Sequence, residues 1–164
     1  MIKGNNIFLR PLELTDSSFM LKLLNDLDIS ALEGKNEFLK NEFQQKTWFE
    51  NNIVNENRLS LIIVDQASIE KVGYLSFKYL NHVRTNGHIG IKIDPIFQKK
   101  GYGTDSLNTI MSYLFLKMNL NRLQSTIAEY NKGSLKLFVD KCGWKKEGIL
   151  RKSIYSNGEF FDNV

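Results

Sequence analysis

His88 lies in the run Gly87-His88-Ile89-Gly90-Ile91-Lys92-Ile93-Asp94, whose alternation puts Ile89, Ile91 and Ile93 on one strand face and His88, Gly90, Lys92 and Asp94 on the other. An imidazole of ordinary pKa, ~6.5, is largely neutral near neutral pH and accepts a proton directly or through one water. Pro95 then ends the extended run, and the polar loop Gln98-Lys99-Lys100-Gly101-Tyr102-Gly103 leads into a helix opened by Thr104 or Asp105. Glycines at 101 and 103 let the backbone approach a ligand, and successive free amides at a helix start cup a phosphate or pyrophosphate. Lys99 and Lys100 add positive charge there. The same spacing also suits a plain strand-to-helix turn with a solvated basic patch, and the His88 face also suits plain solvated sheet.

Other chemistries find no footing. The loop is not a Walker A motif, since no Gly-Lys-Ser/Thr follows, and Ser106 stands where a dinucleotide fingerprint has its third glycine. There is no Gly-x-Ser-x-Gly elbow. His82 and His88 are separated by a turn with no cysteine or carboxylate at ligand spacing, so no metal is expected. Lone Cys142 closes no intrachain disulfide, which suits a reducing compartment. The polar start, Met1 to Asn6, resembles no secretion signal, and no apolar run reaches the ~20 residues of a membrane helix; the expectation is a cytoplasmic protein without a membrane span. Lys and Arg number 22 against 18 Asp and Glu, a net +4 that fits an anionic ligand better than a nucleic acid. Trp48 and Phe49 lack the basic neighbours of a base-stacking platform and read as core or cleft wall.

The elements that must position these groups follow from periodicity. Length, 164 residues with 42% apolar, suits one domain over the whole chain, 1–164. Ile7 to Leu12 is a short strand; Thr15-Asp16 caps a helix carrying Phe19, Met20, Leu23, Leu24 and Leu27 on one stripe. Glu33 to Phe43 is irregular, and a helix follows at Gln44 to Ile53. Strands are expected at Leu59 to Val64, Val72 to Leu80 and Gly87 to Asp94, then a helix with Leu107, Ile110, Met111, Leu114 and Met118 inward. A strand at Arg122 to Ala128, a helix at Ser134 to Cys142 stopped by Gly143, and strands at Trp144 to Glu147, Leu150 to Tyr155 and, after an Asn157-Gly158 turn, Glu159 to Val164 complete one mixed sheet.

Gln98-Lys99-Lys100-Gly101-Tyr102-Gly103 resembles the Gln/Arg-x-x-Gly-x-Gly/Ala loop with which the GNAT acyltransferases hold the pyrophosphate of acetyl-coenzyme A. Leu9-Arg10-Pro11-Leu12 before the Thr-Asp helix start is similar to the opening of the branch with the ribosomal-protein and spermidine N-acetyltransferases. Asn131-Lys132-Gly133-Ser134, ending in Cys142-Gly143-Trp144, resembles that branch's Asn-x-x-Ser helix closed by a Gly-aromatic pair, and Arg151 to Asp162 resembles its carboxy-terminal hairpin. The resemblance implies an α/β (α+β) fold: a mixed, mostly antiparallel sheet with helices on both faces and a V-shaped splay between central strands. It implies acetyl-coenzyme A as cosubstrate, with its pantetheine arm along Ile91, Lys92 and Ile93 and facing Asn131 and Ser134, and its pyrophosphate on Gln98, Lys99, Lys100, Gly101, Tyr102, Gly103 and Thr104.

Two departures stand out against that branch. His88 occupies the place of its glutamate base, and Phe138 or Val139, depending on a one-residue shift in the helix, stands where the spermidine enzymes carry a tyrosine that protonates the leaving thiolate. The expected activity is acetyl transfer to a primary amine by direct attack, on a small-molecule or protein acceptor, in a chain that also suits a homo-oligomer. A polyamine is slightly favoured, from Glu33, Glu37 and Glu42 and from Asn81-His82-Val83, over a protein amino terminus, an amino sugar or an antibiotic. The alternative is a coenzyme-A-binding regulatory domain with impaired catalysis.

Overall fold

The computed structural model describes residues 1–33, 39–156 and 158–164. Its elements are β1 (Ile2–Lys3), β2 (Ile7–Pro11), α1 (Ser17–Asn25), α2 (Leu27–Leu32), α3 (Glu42–Ile53), β3 (Arg58–Asp65), β4 (Lys71–Tyr79), β5 (Asn86–Ile93), α4 (Tyr102–Leu116), β6 (Arg122–Gln124), α5 (Lys132–Leu135), β7 (Leu150–Ser156) and β8 (Glu159–Asn163). A six-stranded sheet runs β1-β2-β3-β4-β5-β6, antiparallel throughout except for the parallel β5–β6 pair.

Strand alternation sends apolar side chains to both sheet faces, so each face must be covered. Leu9, Leu61, Ile63, Leu75, Phe77 and Ile89 pack with Leu107, Ile110 and Leu114 of α4 and with Phe138. Leu12, Ile62, Val64 and Tyr74 pack on the opposite face with Met20 and Leu23 of α1, Ile29 of α2 and Phe49 of α3. Arg10 grips buried Asp16 through two 2.7 Å hydrogen bonds, and Lys71 reaches the same carboxylate at 2.8 Å. The Leu-Arg-Pro-Leu and Thr-Asp segments thus fasten the first helix to the sheet. Among the described residues, no helix is long and apolar enough to cross a membrane.

Several sequence expectations are corrected. The first helix stops at Asn25 because Asp26 is extended and its carboxylate caps a new helix at Asp28 and Ile29, which leaves Leu27 exposed rather than on the α1 stripe. Met118 lies beyond α4 and is 40% exposed, not inward. Trp144 to Glu147 forms no strand; it is pinned by Trp144 Nε1 donating to Met111 Sδ and by the Arg122–Glu147 ion pair. The carboxy-terminal hairpin β7–β8 is a separate two-stranded sheet, joined by the Ala128–Asn163 bridge, so the strands do not form a single sheet. The expected turn residue Asn157 lies outside the described residues.

Candidate active site

The strand expected over Arg122 to Ala128 is β6 alone, and its early end opens the site. β5 and β6 pair at Asn86–Arg122, Gly87–Leu123 and His88–Gln124, and there the pairing stops. The chain after Gln124 turns to the carboxy terminus, where Ile127 and Val164 exchange backbone hydrogen bonds of 2.9 and 2.8 Å. β5 continues to Ile93 with partners on its β4 side only. The V between Ile89–Lys92 and Ser125–Ala128 is part of a cavity of about 440 Å³ that also reaches His88.

Past the end of β5, Asp94 caps a short turn through Ile96 N at 3.2 Å and holds Lys22 of α1 at 2.6 Å. Lys99 (φ 60°) and Gly101 (φ 90°) are left-handed on either side of Lys100, a twist that turns successive amides into one concavity. Gly101 is the N-cap, so α4 opens at Tyr102 and not at Thr104 or Asp105. A Cβ on Gly103 would lie 3.1 Å from Leu137, so glycine there lets the first turn of α4 pack closely. The one acid in that turn, Asp105, is occupied by the amides of Asn5 and Asn6 at 3.0 and 2.7 Å.

Not every expected loop side chain faces an anion. Gln98 Nε2 donates to Ile93 O at 3.1 Å, bracing the loop to β5. Lys100 Nζ stands 5.2 Å over the Phe97 ring. Burial and the Asp65 carboxylate both push the Tyr102 phenol up.

Asn131 is the N-cap of α5, accepting from Ser134 N at 3.0 Å, while its Nδ2 donates to Leu32 O at 3.1 Å. Tyr130 OH donates to Ala31 O at 2.9 Å, and Lys92 Nζ lies 3.0 Å from the Glu33 carboxylate. Lys92, Tyr130 and Asn131 therefore all hold the end of α2. The helix expected from Ser134 becomes π-helical at Lys136–Lys141, with Cys142 N bonding to Leu137 O, and this extra residue decides the register. Phe138 lines the cavity and Val139 does not; Phe138 is buried edge-on against Trp144, centroids 4.8 Å apart.

His88 is half-buried at the apex of the V. On its face, register makes Arg58, Lys78, His88 and Gln124 one transverse row across β3 to β6, beside Ser60, Ser76 and Gly90. Met20, Leu24, Trp48 and Tyr74 close the cavity beyond His88, and the Tyr74 hydroxyl lies 3.0 Å from Ser60 Oγ. Glu33 lines this space, Glu42 is in the first turn of α3, and Glu37 lies outside the described residues. Arg58, Tyr74, Ser76, Ser125 and Thr126 escaped the sequence reading; the one signal was polar residues interrupting otherwise apolar strands.

A family description, "Acetyltransferase (GNAT) domain", matches residues 6–145. The probable N-acetyltransferase YjcK of Bacillus subtilis is 26% identical over 170 residues, covering 99% of this chain and 93% of that protein. Among solved structures, spermidine N-acetyltransferase from Vibrio cholerae in complex with CoA and spermine superposes with TM-score 0.89 at 23% identity, covering 96% of this chain and 92% of that one. A dodecameric structure of spermidine N-acetyltransferase from Vibrio cholerae gives TM-score 0.81 at 23% identity, covering 96% and 90%.

Proposed function

The chain belongs to the GNAT acetyltransferases, and from that premise we propose that it moves the acetyl group of acetyl-coenzyme A onto a primary amine of a small molecule by direct attack, with His88 as base. The observation that carries this reading is the end of β5–β6 pairing at His88 and Gln124, which leaves a strand edge free beside a polar side chain at the bottom of a cleft.

The edge at Ile91, Lys92 and Ile93 suits the amide groups of a pantetheine arm, flanked by Asn131 and Ser134. The twisted loop from Gln98 to Thr104 suits the pyrophosphate through its amides and the charges of Lys99 and Lys100. An alkyl ammonium of ordinary pKa near ~10 is not a nucleophile, so His88 takes its proton, directly or through one water. The thioester supplies the electrophilic carbonyl: the N–C bond forms, the C–S bond breaks, and the freed thiolate gains the second nitrogen proton through solvent. A β5 amide beyond the last β6 pair supports the carbonyl oxygen as it gains negative charge.

The cavity volume fits a small acceptor, and the spermine-bound relative supports a small amine as its class. Self-association belongs to the same reading, supported by the dodecameric relative and by Leu150, Tyr155 and Phe160 exposed on the hairpin; light scattering measures it. The test is calorimetry with coenzyme A, followed by thiol release with an amine panel. Binding and multiple turnovers with at least one amine are expected; absence of coenzyme A binding overturns the reading, and binding without turnover on any amine would favour an impaired regulatory domain.

A further inference from the structure

Resting on the acetyltransferase reading, we propose that the acceptor carries a carboxylate beside its primary amine, as an apolar α-amino acid does, and that Arg58 reads that carboxylate. Arg58 and His88 belong to one transverse row on one sheet face, with Lys78 between them. At ~4.8 Å per strand their backbones stand ~10 Å apart, and side chains rising from the same sheet face leave room between their ends for one small zwitterion with its hydrogen bonds. Arg58 lines the cavity, and its guanidinium has no hydrogen-bond or ion-pair partner among the described residues. Burial pushes the Tyr74 phenol up, and the Ser60 hydrogen bond and, after it, the Arg58 charge pull it back, so the two side chains share this part of the cavity wall.

Charge points the same way. Among the described lining residues Glu33 is the one carboxylate, and it is engaged by Lys92 at 3.0 Å, whereas Lys40 and Arg58 add positive charge. A zwitterion brings to Arg58 an anion that the described lining does not supply. Arginine also matches a carboxylate with two parallel donors. Met20, Leu24 and Trp48 form the apolar wall for the rest of the acceptor.

The experiment measures kcat/KM for thiol release with leucine, methionine and phenylalanine, with the amide of each, and with spermidine. Amidation lowers the amine pKa, which by itself favours the amide, so a preference for the acid reports its carboxylate. The best acid is expected to exceed its amide by ~10-fold or more, as a charged hydrogen bond is worth. That ratio should fall to near parity in Arg58→Gln and recover in part in Arg58→Lys. The parent chain carries the test even if a variant fails to fold: amides or spermidine used as well as the acids overturn the proposal, as does a preference that survives in Arg58→Gln. Thiol release with those other amines would leave the acetyltransferase reading standing; none with any amine would sink both.

Discussion

Lys92, on the free edge of β5, reaches 3.0 Å across the cleft to the Glu33 carboxylate at the end of α2. The last carbonyls of a helix lack intrahelical partners; here those of Ala31 and Leu32 are taken by Tyr130 and Asn131. The wall on the acceptor side is thus latched to the elements proposed to hold the cosubstrate.

Glu33 and Lys92 keep some water contact, with side chains 25% and 13% exposed, so their coupling should be about 1 kcal/mol and not the ~3–5 kcal/mol lost when a buried pair is broken. Urea unfolding of Glu33→Gln, Lys92→Met and the double variant measures it as a cycle. A coupling above ~3 kcal/mol would contradict a solvent-screened pair.

Asp16 should set the acid limit of stability. Burial alone would raise its pKa, but hydrogen bonds from Arg10, Lys71 and the Glu13 amide bring it from 3.8 to about 2. Because the folded pKa is the lower one, the stabilisation is fully present above pH ~4 and is lost as pH falls towards ~2. Asp16→Asn should cost ~2–3 kcal/mol, since Arg10 and Lys71 retain partial hydration, and should flatten the unfolding free energy between pH 4 and 2. An unchanged acid slope in the variant would assign acid lability to other carboxylates.

Gly101 separates backbone geometry from packing. A Cβ there meets nothing within 4 Å, so Gly101→Ala costs only the φ of 90°, ~1–2 kcal/mol. The amides around it must rotate, and coenzyme A affinity should fall ~5-fold or more by calorimetry. Undiminished affinity at equal stability would remove the loop amides from the anion site.

Much of this was legible in the sequence because local rules dominate locally. Alternation from His88 to Ile93 gave the strand and its faces, and Pro95, Gly101 and the polar loop gave the strand-to-helix turn. What stayed hidden was set by distant partners. Leu123 to Ala128 has strand composition throughout, yet pairing ends at Gln124 because Ile127 bonds to Val164. Nothing between Ser134 and Cys142 announces a π-helical turn, although the one-residue ambiguity between Phe138 and Val139 was its trace. Arg58 could not be assigned to the site until register placed it in the row of His88.

His88 carries the sharpest prediction. It is the last β5 residue paired to β6, so a side chain there faces the cleft while its backbone is still held on both sides. Such support fixes a base within reach of an incoming amine better than a loop would. If His88 takes the proton, His88→Ala should lower kcat by ~10²-fold with little change in coenzyme A affinity, since the loop and free strand edge that hold the cosubstrate lie beyond it. The parent rate should rise with pH through an apparent pKa that the variant lacks. An alanine variant that keeps nearly full rate and the same pH profile would move the proton to a water held by the free backbone of β5, and the site would then work by position alone.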